Sequence, residues 1–217
     1  MTGRERLQPR TGRRRLGAAT GVLLVAGTVV SSASYTDEAT LGLAGAGIGF
    51  PHTFAIGVVA ADGTAEPADG EAGVEWLVEG AGTLVPGRSV STVVQVFNNT
   101  PTLDADTVLE VVARGGDGAV AEAIPNITPH LRLSAQDQDG VVLFSDVPWE
   151  QARGSVGRLV ARGSGSLAAG EPYTTGPAGS ERQITLTIDY LDEPGVEALN
   201  GGQAALSLRI DATSVTP

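Results

Sequence analysis

Residues 183–190 alternate without a fault. Ile184, Leu186, Ile188 and Tyr190 fall on one face, with Thr185, Thr187 and Asp189 opposite. A period of two places successive side chains on opposite sides of a pleated strand; a helix repeats every 3.6 residues and cannot use it. Residues 204–212 repeat the pattern, with Leu206, Leu208 and Ile210 inward and Ser207, Arg209 and Asp211 outward. Val90, Thr92, Val94 and Val96 share a face in the same way. No apolar stretch in the body of the chain offers the crossover helix of ten or more residues that neighbouring parallel strands need. The pattern therefore predicts an all-β chain: an antiparallel, jelly-roll-like sandwich with one or two short helices.

Turn chemistry marks the ends of the strands. In Leu84-Val85-Pro86-Gly87, proline presets the first central position of a turn and glycine tolerates positive φ at the second. Asp137-Gln138-Asp139-Gly140 separates apolar runs at 131–135 and 141–144, as a hairpin turn does. Further strands are expected at 53–60, 106–113 and 156–161, and at the alternating Val74, Trp76 and Val78. Asp146 is read as the cap of a short helix over 148–153, and Asp192 as the cap of a single turn before Asn200.

The N-terminal region is of another kind. Arg13, Arg14 and Arg15 precede an apolar run over 16–30, diluted by Gly17, Gly21 and Gly27, and Ser31-Ser32-Ala33-Ser34 follows. A basic head, an apolar middle short for a bilayer and a small-residue end predict a secretory signal peptide. Ser31 and Ala33 suit the two small pockets of a signal peptidase, which places the cut between Ala33 and Ser34. The competing reading is a retained membrane anchor, and Arg13-Arg14 also allows a twin-arginine export signal. The expected organisation is a signal peptide over 1–33, an extended arm over 34–50 and a single β-sandwich domain over 51–217, with membrane contact only as the precursor. In the arm Leu41 and Leu43 share one face and Ala46, Ile48 and Phe50 the other, with Gly45 allowing a kink between them.

Charge separates the two parts as well. The 217 residues carry a net charge of −11, yet six arginines and one acid lie before residue 34. The remainder holds 8 arginines and 24 acids, a net of −16. So acidic a mature chain is a poor partner for nucleic acid or anionic lipid, which call for a cationic surface. There is no cysteine, so an exported form must be held by its core rather than by disulfides. There is no lysine either, which excludes any crosslink through a lysine amine.

The residues that carry chemistry are sparse. His52 and His130 each follow a proline, and neither stands in His-Glu-x-x-His spacing. No serine occupies the Gly-x-Ser-x-Gly frame of a nucleophile elbow. Gly45-x-Gly47 lacks the third glycine of a phosphate-binding loop. Asp104 with Asp106, Asp137 with Asp139, and Asp192 with Glu193 are acid pairs without a full calcium-loop pattern. Asn98-Asn99-Thr100 and Asn126-Ile127-Thr128 match the glycosylation sequon. The reading is therefore no catalytic residue, no metal site and no cofactor.

An arginine-rich signal region leads into Thr36-Asp37, a small-residue arm and Phe54-Ala55-Ile56-Gly57. With Leu84-Val85-Pro86-Gly87, the strand ending in Asn98-Asn99, and a closing strand running from Asn200-Gly201-Gly202 to Val215, this resembles the camelysin/TasA family of secreted biofilm-matrix proteins. The resemblance covers the signal region and residues 35–60, 84–112 and 183–215; residues 114–180 have no counterpart. It implies processing by a SipW-type signal peptidase and a jelly-roll domain whose N-terminal arm enters a neighbouring subunit to build a homopolymeric fibre. Some family members have been labelled metallopeptidases, and this chain supplies no ligand set for that activity. The expectation is a secreted, non-enzymatic subunit of an extracellular matrix or surface fibre, assembled through Leu41, Leu43, Ala46 and Ile48. The alternative is a monomeric secreted module for a polysaccharide or wall ligand, although Trp76 and Trp149 are the only tryptophans. A secreted hydrolase is the third and least supported reading.

Overall fold

The computed structural model describes residues 54–68 and 78–216, all within the compact unit Ser34–Pro217. Nine strands appear in the order β1 (Ile56–Val59), β2 (Ala65–Pro67), β3 (Arg88–Asn98), β4 (Asp104–Ala113), β5 (Leu131–Asp137), β6 (Val142–Val147), β7 (Arg153–Leu159), β8 (Glu181–Tyr190) and β9 (Leu206–Val215). They form a six-stranded sheet, β2-β1-β3-β8-β5-β6, and a three-stranded sheet, β7-β4-β9. Every ladder is antiparallel. The chain crosses between the sheets five times, from β3 to β4, β4 to β5, β6 to β7, β7 to β8 and β8 to β9. This is the sandwich that the alternation predicts.

One core joins both sheets. Ile56, Val94, Leu133 and Ile184 from the large sheet pack with Leu109, Val156 and Leu159 from the small one. Ile184 and Leu186 are buried as their alternation requires, whereas Leu206, Leu208 and Ile210 of β9 are only half-buried. A second cluster at one end gathers Ile127, Leu131, Tyr190 and Val196.

Two turns form for the reasons legible in the sequence. The Arg88 N–H donates to Val85 O at 3.1 Å across Pro86-Gly87, with Gly87 at φ 75°. In the β5–β6 hairpin, Asp137 Oδ1 accepts from the N–H groups of Asp139 at 2.9 Å and Val141 at 2.8 Å. The Asp137/Asp139 pair is thus a turn device that also faces Arg182, 2.8 Å from Asp139. Gly57 sits opposite Phe97 across the β1–β3 ladder, and a Cβ there would lie 2.3 Å from the Phe97 ring. The aromatic ring fills the space that the glycine leaves.

The expected short helices form as 3-10 turns, and it is their caps that are corrected. Helical structure among the described residues consists of short 3-10 turns: Ala81–Thr83, Arg114–Gly116, Thr128–His130, Trp149–Gln151 and Val196–Leu199. Neither aspartate caps its turn. Asp146 lies within β6 at φ 52°, and the turn at Trp149 starts from Pro148 with no side-chain cap. The turn at Val196 starts from Gly195 at φ 101°, again without a side-chain cap. Backbone geometry set by proline and glycine nucleates both turns, so capping carboxylates are not needed. Of the expected strand through Val74, Trp76 and Val78, only Val78 is described, and it lies outside the strands.

The Asn-Asn end of β3 does more than stop a strand. Asn98 is fully buried, and its Nδ2 donates to Leu103 O at 2.8 Å and Leu159 O at 3.2 Å. Thr100 exchanges hydrogen bonds with the Ala55 backbone through its hydroxyl. Chain entry into β1, the β3–β4 turn and the end of β7 are therefore fastened at one point. Both sequon asparagines have their amides engaged here or elsewhere: Asn126 Nδ2 donates to Asp117 O at 2.9 Å.

Candidate functional site: the groove along β9

A sandwich of six strands against three cannot cover itself evenly. On one side the sheets close: Gly154 of β7 lies so near β6 that a Cβ would stand 2.5 Å from Leu143 O. On the other side β9 ends the small sheet, above the inner faces of β1 and β3. There Leu206, Leu208 and Ile210 face Val58, Thr92 and Val94 across a groove of about 190 Å³. It continues past Val78 and Ile188 into a wider crevice of about 730 Å³, floored by Leu131, Tyr190 and Val196 and bounded by Leu84 and Pro86. Burial among these apolar side chains pushes the Tyr190 phenol above its ordinary value of 10.0.

The edges of the two sheets differ in their readiness to pair. β2 has three residues and ends in Pro67, and its backbone is already bonded to the loop at Gly170 and Glu171. The β5–β6 register shifts twice, and Asp146 bends β6. The β4–β7 register also shifts. Such irregularities protect a sheet edge from adding strands. β9 is ten residues long and pairs with β4 in unbroken register, and no described strand lies on its other side.

The direction of its backbone groups follows from β4. The Val111 N–H donates to Ala152 O at 2.9 Å, toward β7, while the Arg114 N–H donates to Ala205 O at 2.9 Å. By antiparallel alternation, Ser207 and Arg209 bond β4, and the N–H and C=O groups of Leu206, Leu208 and Ile210 turn to the other edge. The same three residues thus present apolar side chains to the groove and backbone donors and acceptors to a further strand. On the outer face Glu110 takes Arg153 and Arg209 at 2.5 Å each, and Asp211 lies 3.1 Å from Arg153. That row of ion pairs keeps the outer face of β9 charged.

The sequence-derived site residues do not meet here. Ser31, Ala33, Ser34, Leu41, Leu43, Ala46 and Ile48 lie outside the described residues, as does His52. His130 Nδ1 is 2.5 Å from Glu193 Oε1. Asp104 accepts from Arg158 Nε at 2.9 Å and from the Ala161 N–H at 2.7 Å, so it serves as a loop anchor. Among the described residues, no three His, Cys, Asp or Glu side chains gather as a metal site would require. Alternation places Leu206, Leu208 and Ile210 on the inner face, but it carries no signal that their strand is a long edge. Arg162 was also missed. It is buried at 2 % exposure with its guanidinium 5.7 Å from the ring centroids of both Phe97 and Tyr173. Burial lowers its pKa and Glu181 opposes that shift.

No family model matches the chain, and no curated protein matches it.

Proposed function

We propose that this protein is a secreted, non-enzymatic structural subunit that self-assembles into extracellular matrix or surface fibres by donating its N-terminal arm. The observation that carries this reading is the β9 edge: ten regular residues whose Leu206, Leu208 and Ile210 look into an apolar groove. Adding a strand to such an edge joins main-chain hydrogen bonds to side-chain pockets at every second residue. The arm over 34–50 matches that demand. It holds Leu41 and Leu43 two residues apart, followed by Ala46 and Ile48, and its sixteen or so residues reach about 50 Å when extended. The only partner required is a second copy, after a signal peptidase of the SipW type has freed the arm at Ser34. No cofactor enters the scheme.

A synthetic peptide of residues 34–50, titrated into the mature protein held monomeric by dilution, tests the reading. Saturable binding that Leu41→Asp with Leu43→Asp abolishes is expected. Equal binding of the doubly substituted peptide would remove the arm from the mechanism.

A further inference from the structure

The crevice beyond the groove is a site of a different kind. A strand added along β9 uses the groove, whereas the crevice is a wide recess of about 730 Å³ at the end of the sandwich. That size falls in the range of roughly 300–1,000 Å³ typical of small-molecule sites. Its walls are held by main-chain hydrogen bonds. On one side the Gly87 N–H donates to Tyr190 O at 2.8 Å and the Leu84 N–H to Ala81 O at 3.3 Å. On the other the Gln203 N–H donates to Pro125 O at 2.9 Å and the Gly202 N–H to Leu199 O at 2.7 Å. A Cβ at Gly202 would stand 2.5 Å from the Ile127 side chain, so this wall is packed tight against the chain behind it. The recess is formed before any ligand arrives, as small-molecule sites usually are.

Tyr190 gives the floor one polar atom. The residue is 5 % exposed and is fixed between β3 and β5, opposite Arg88 and Leu131. Its hydroxyl has no hydrogen-bond partner among the described residues, yet it is not sealed in the interior as the unpaired Thr107 and Ser180 hydroxyls are. It opens into the crevice that its ring lines. A buried phenol in that position is costly until an acceptor reaches it. The lining around it is apolar, with Leu84, Val90, Ile127, Val196 and Leu206. Glu197 is the only charged side chain at the border among the described residues, and it is exposed, with its carboxylate accepting from the Gly195 N–H at 2.9 Å. An anion would therefore meet no countercharge in the crevice. A cation would bring the phenol no acceptor.

We propose that the crevice binds a neutral, largely apolar small molecule whose carbonyl oxygen accepts a hydrogen bond from the Tyr190 hydroxyl. This site is separate in function from the strand-accepting edge, and it stands whether or not the subunit builds fibres. The apolar body of the ligand fills the recess, and the single buried donor fixes its orientation.

The test uses the mature chain from Ser34, kept monomeric by dilution. The probe is 6-propionyl-2-(dimethylamino)naphthalene, a neutral, apolar aryl ketone whose emission moves to the blue in apolar surroundings. One saturable, blue-shifted site per chain is expected. Tyr190→Phe deletes the hydroxyl alone and should weaken binding about fivefold, the worth of one neutral hydrogen bond. The analogue with a propyl group in place of the ketone should bind wild type about fivefold more weakly than the ketone does, and should bind wild type and Tyr190→Phe equally. Ala204→Trp fills the crevice and, where circular dichroism shows the fold intact, should abolish the site. If that variant does not fold, the cycle of Tyr190→Phe against the propyl analogue decides alone. Added 2-octanone should displace the probe, and octanoate at the same concentration should not. Absence of a saturable site, equal affinity of wild type and Tyr190→Phe for the ketone, undiminished binding to folded Ala204→Trp, or displacement by octanoate as strong as by 2-octanone would each overturn the proposal. None of these outcomes depends on the arm or on fibre formation.

Discussion

Asn99 and Leu167 hold each other by a reciprocal pair of hydrogen bonds. Asn99 Nδ2 donates to Leu167 O, and the Leu167 N–H donates to Asn99 Oδ1, each at 2.8 Å. With Asn98 next to it, this pins the long β7–β8 connection to the end of β3. Thr100 binds the Ala55 backbone at the same place. This fastening is built from buried polar contacts rather than apolar packing alone.

Asn98→Ala should be costly. It strands the carbonyl oxygens of Leu103 and Leu159 and the Thr100 N–H, which donates to Asn98 Oδ1 at 2.9 Å. Leaving buried partners unsatisfied should remove about 3 kcal/mol. Urea unfolding measures this. A loss below about 1 kcal/mol would mean that water replaces the amide at the site.

Gly57→Val should destabilise the domain by about 2–3 kcal/mol, since the Phe97 ring must move out of a close-packed core to admit a side chain. The paired change Gly57→Val with Phe97→Ala should recover part of that loss. Additive losses in the double-mutant cycle would show that the two positions do not compete for the same space.

The two proline variants Leu208→Pro and Arg209→Pro should behave differently although they are neighbours. Proline at Leu208 removes only a donor turned away from β4, whereas at Arg209 it removes a ladder bond. The first should remain folded by circular dichroism and bind the arm peptide about fivefold more weakly, the equivalent of one ~1 kcal/mol hydrogen bond. The second should fail to fold. The reverse behaviour would show that the backbone of β9 faces the other way.

Much of the fold can be read from the alternation of Ile184, Leu186 and Ile188 and from the Pro86-Gly87 turn, because period and turn chemistry are local properties. The groove cannot. Leu206, Leu208 and Ile210 carry the same alternation as the β8 residues, and only the pairing of distant strands makes β9 an edge. Arg162 is hidden for a related reason. Nothing in Val160-Ala161-Arg162-Gly163 marks a buried cation, whose place between Phe97 and Tyr173 exists only after folding. Asn98-Asn99 reads as a strand end, and its hydrogen-bond partners lie as far away in sequence as Leu159 and Leu167.

Tyr190 gives the crevice a pH signature. Burial raises its pKa above 10.0, so the folded chain holds the phenolic proton to higher pH than the unfolded chain does. This contribution is intact below the unfolded value and is lost as pH rises through the folded one. Between about pH 9 and 12, stability in urea should fall more steeply for the wild type than for Tyr190→Phe. Parallel curves would place the phenol in water.

The central claim is that the arm, and not the domain alone, builds the polymer. The most direct measurement compares mature protein starting at Ser34 with protein starting at His52, by sedimentation and negative-stain imaging at equal concentration. Circular dichroism must first give the same β spectrum for both. The account predicts fibres from the first and monomers from the second, with added peptide 34–50 binding the truncated form. Fibres of normal length from protein that starts at His52 would contradict it.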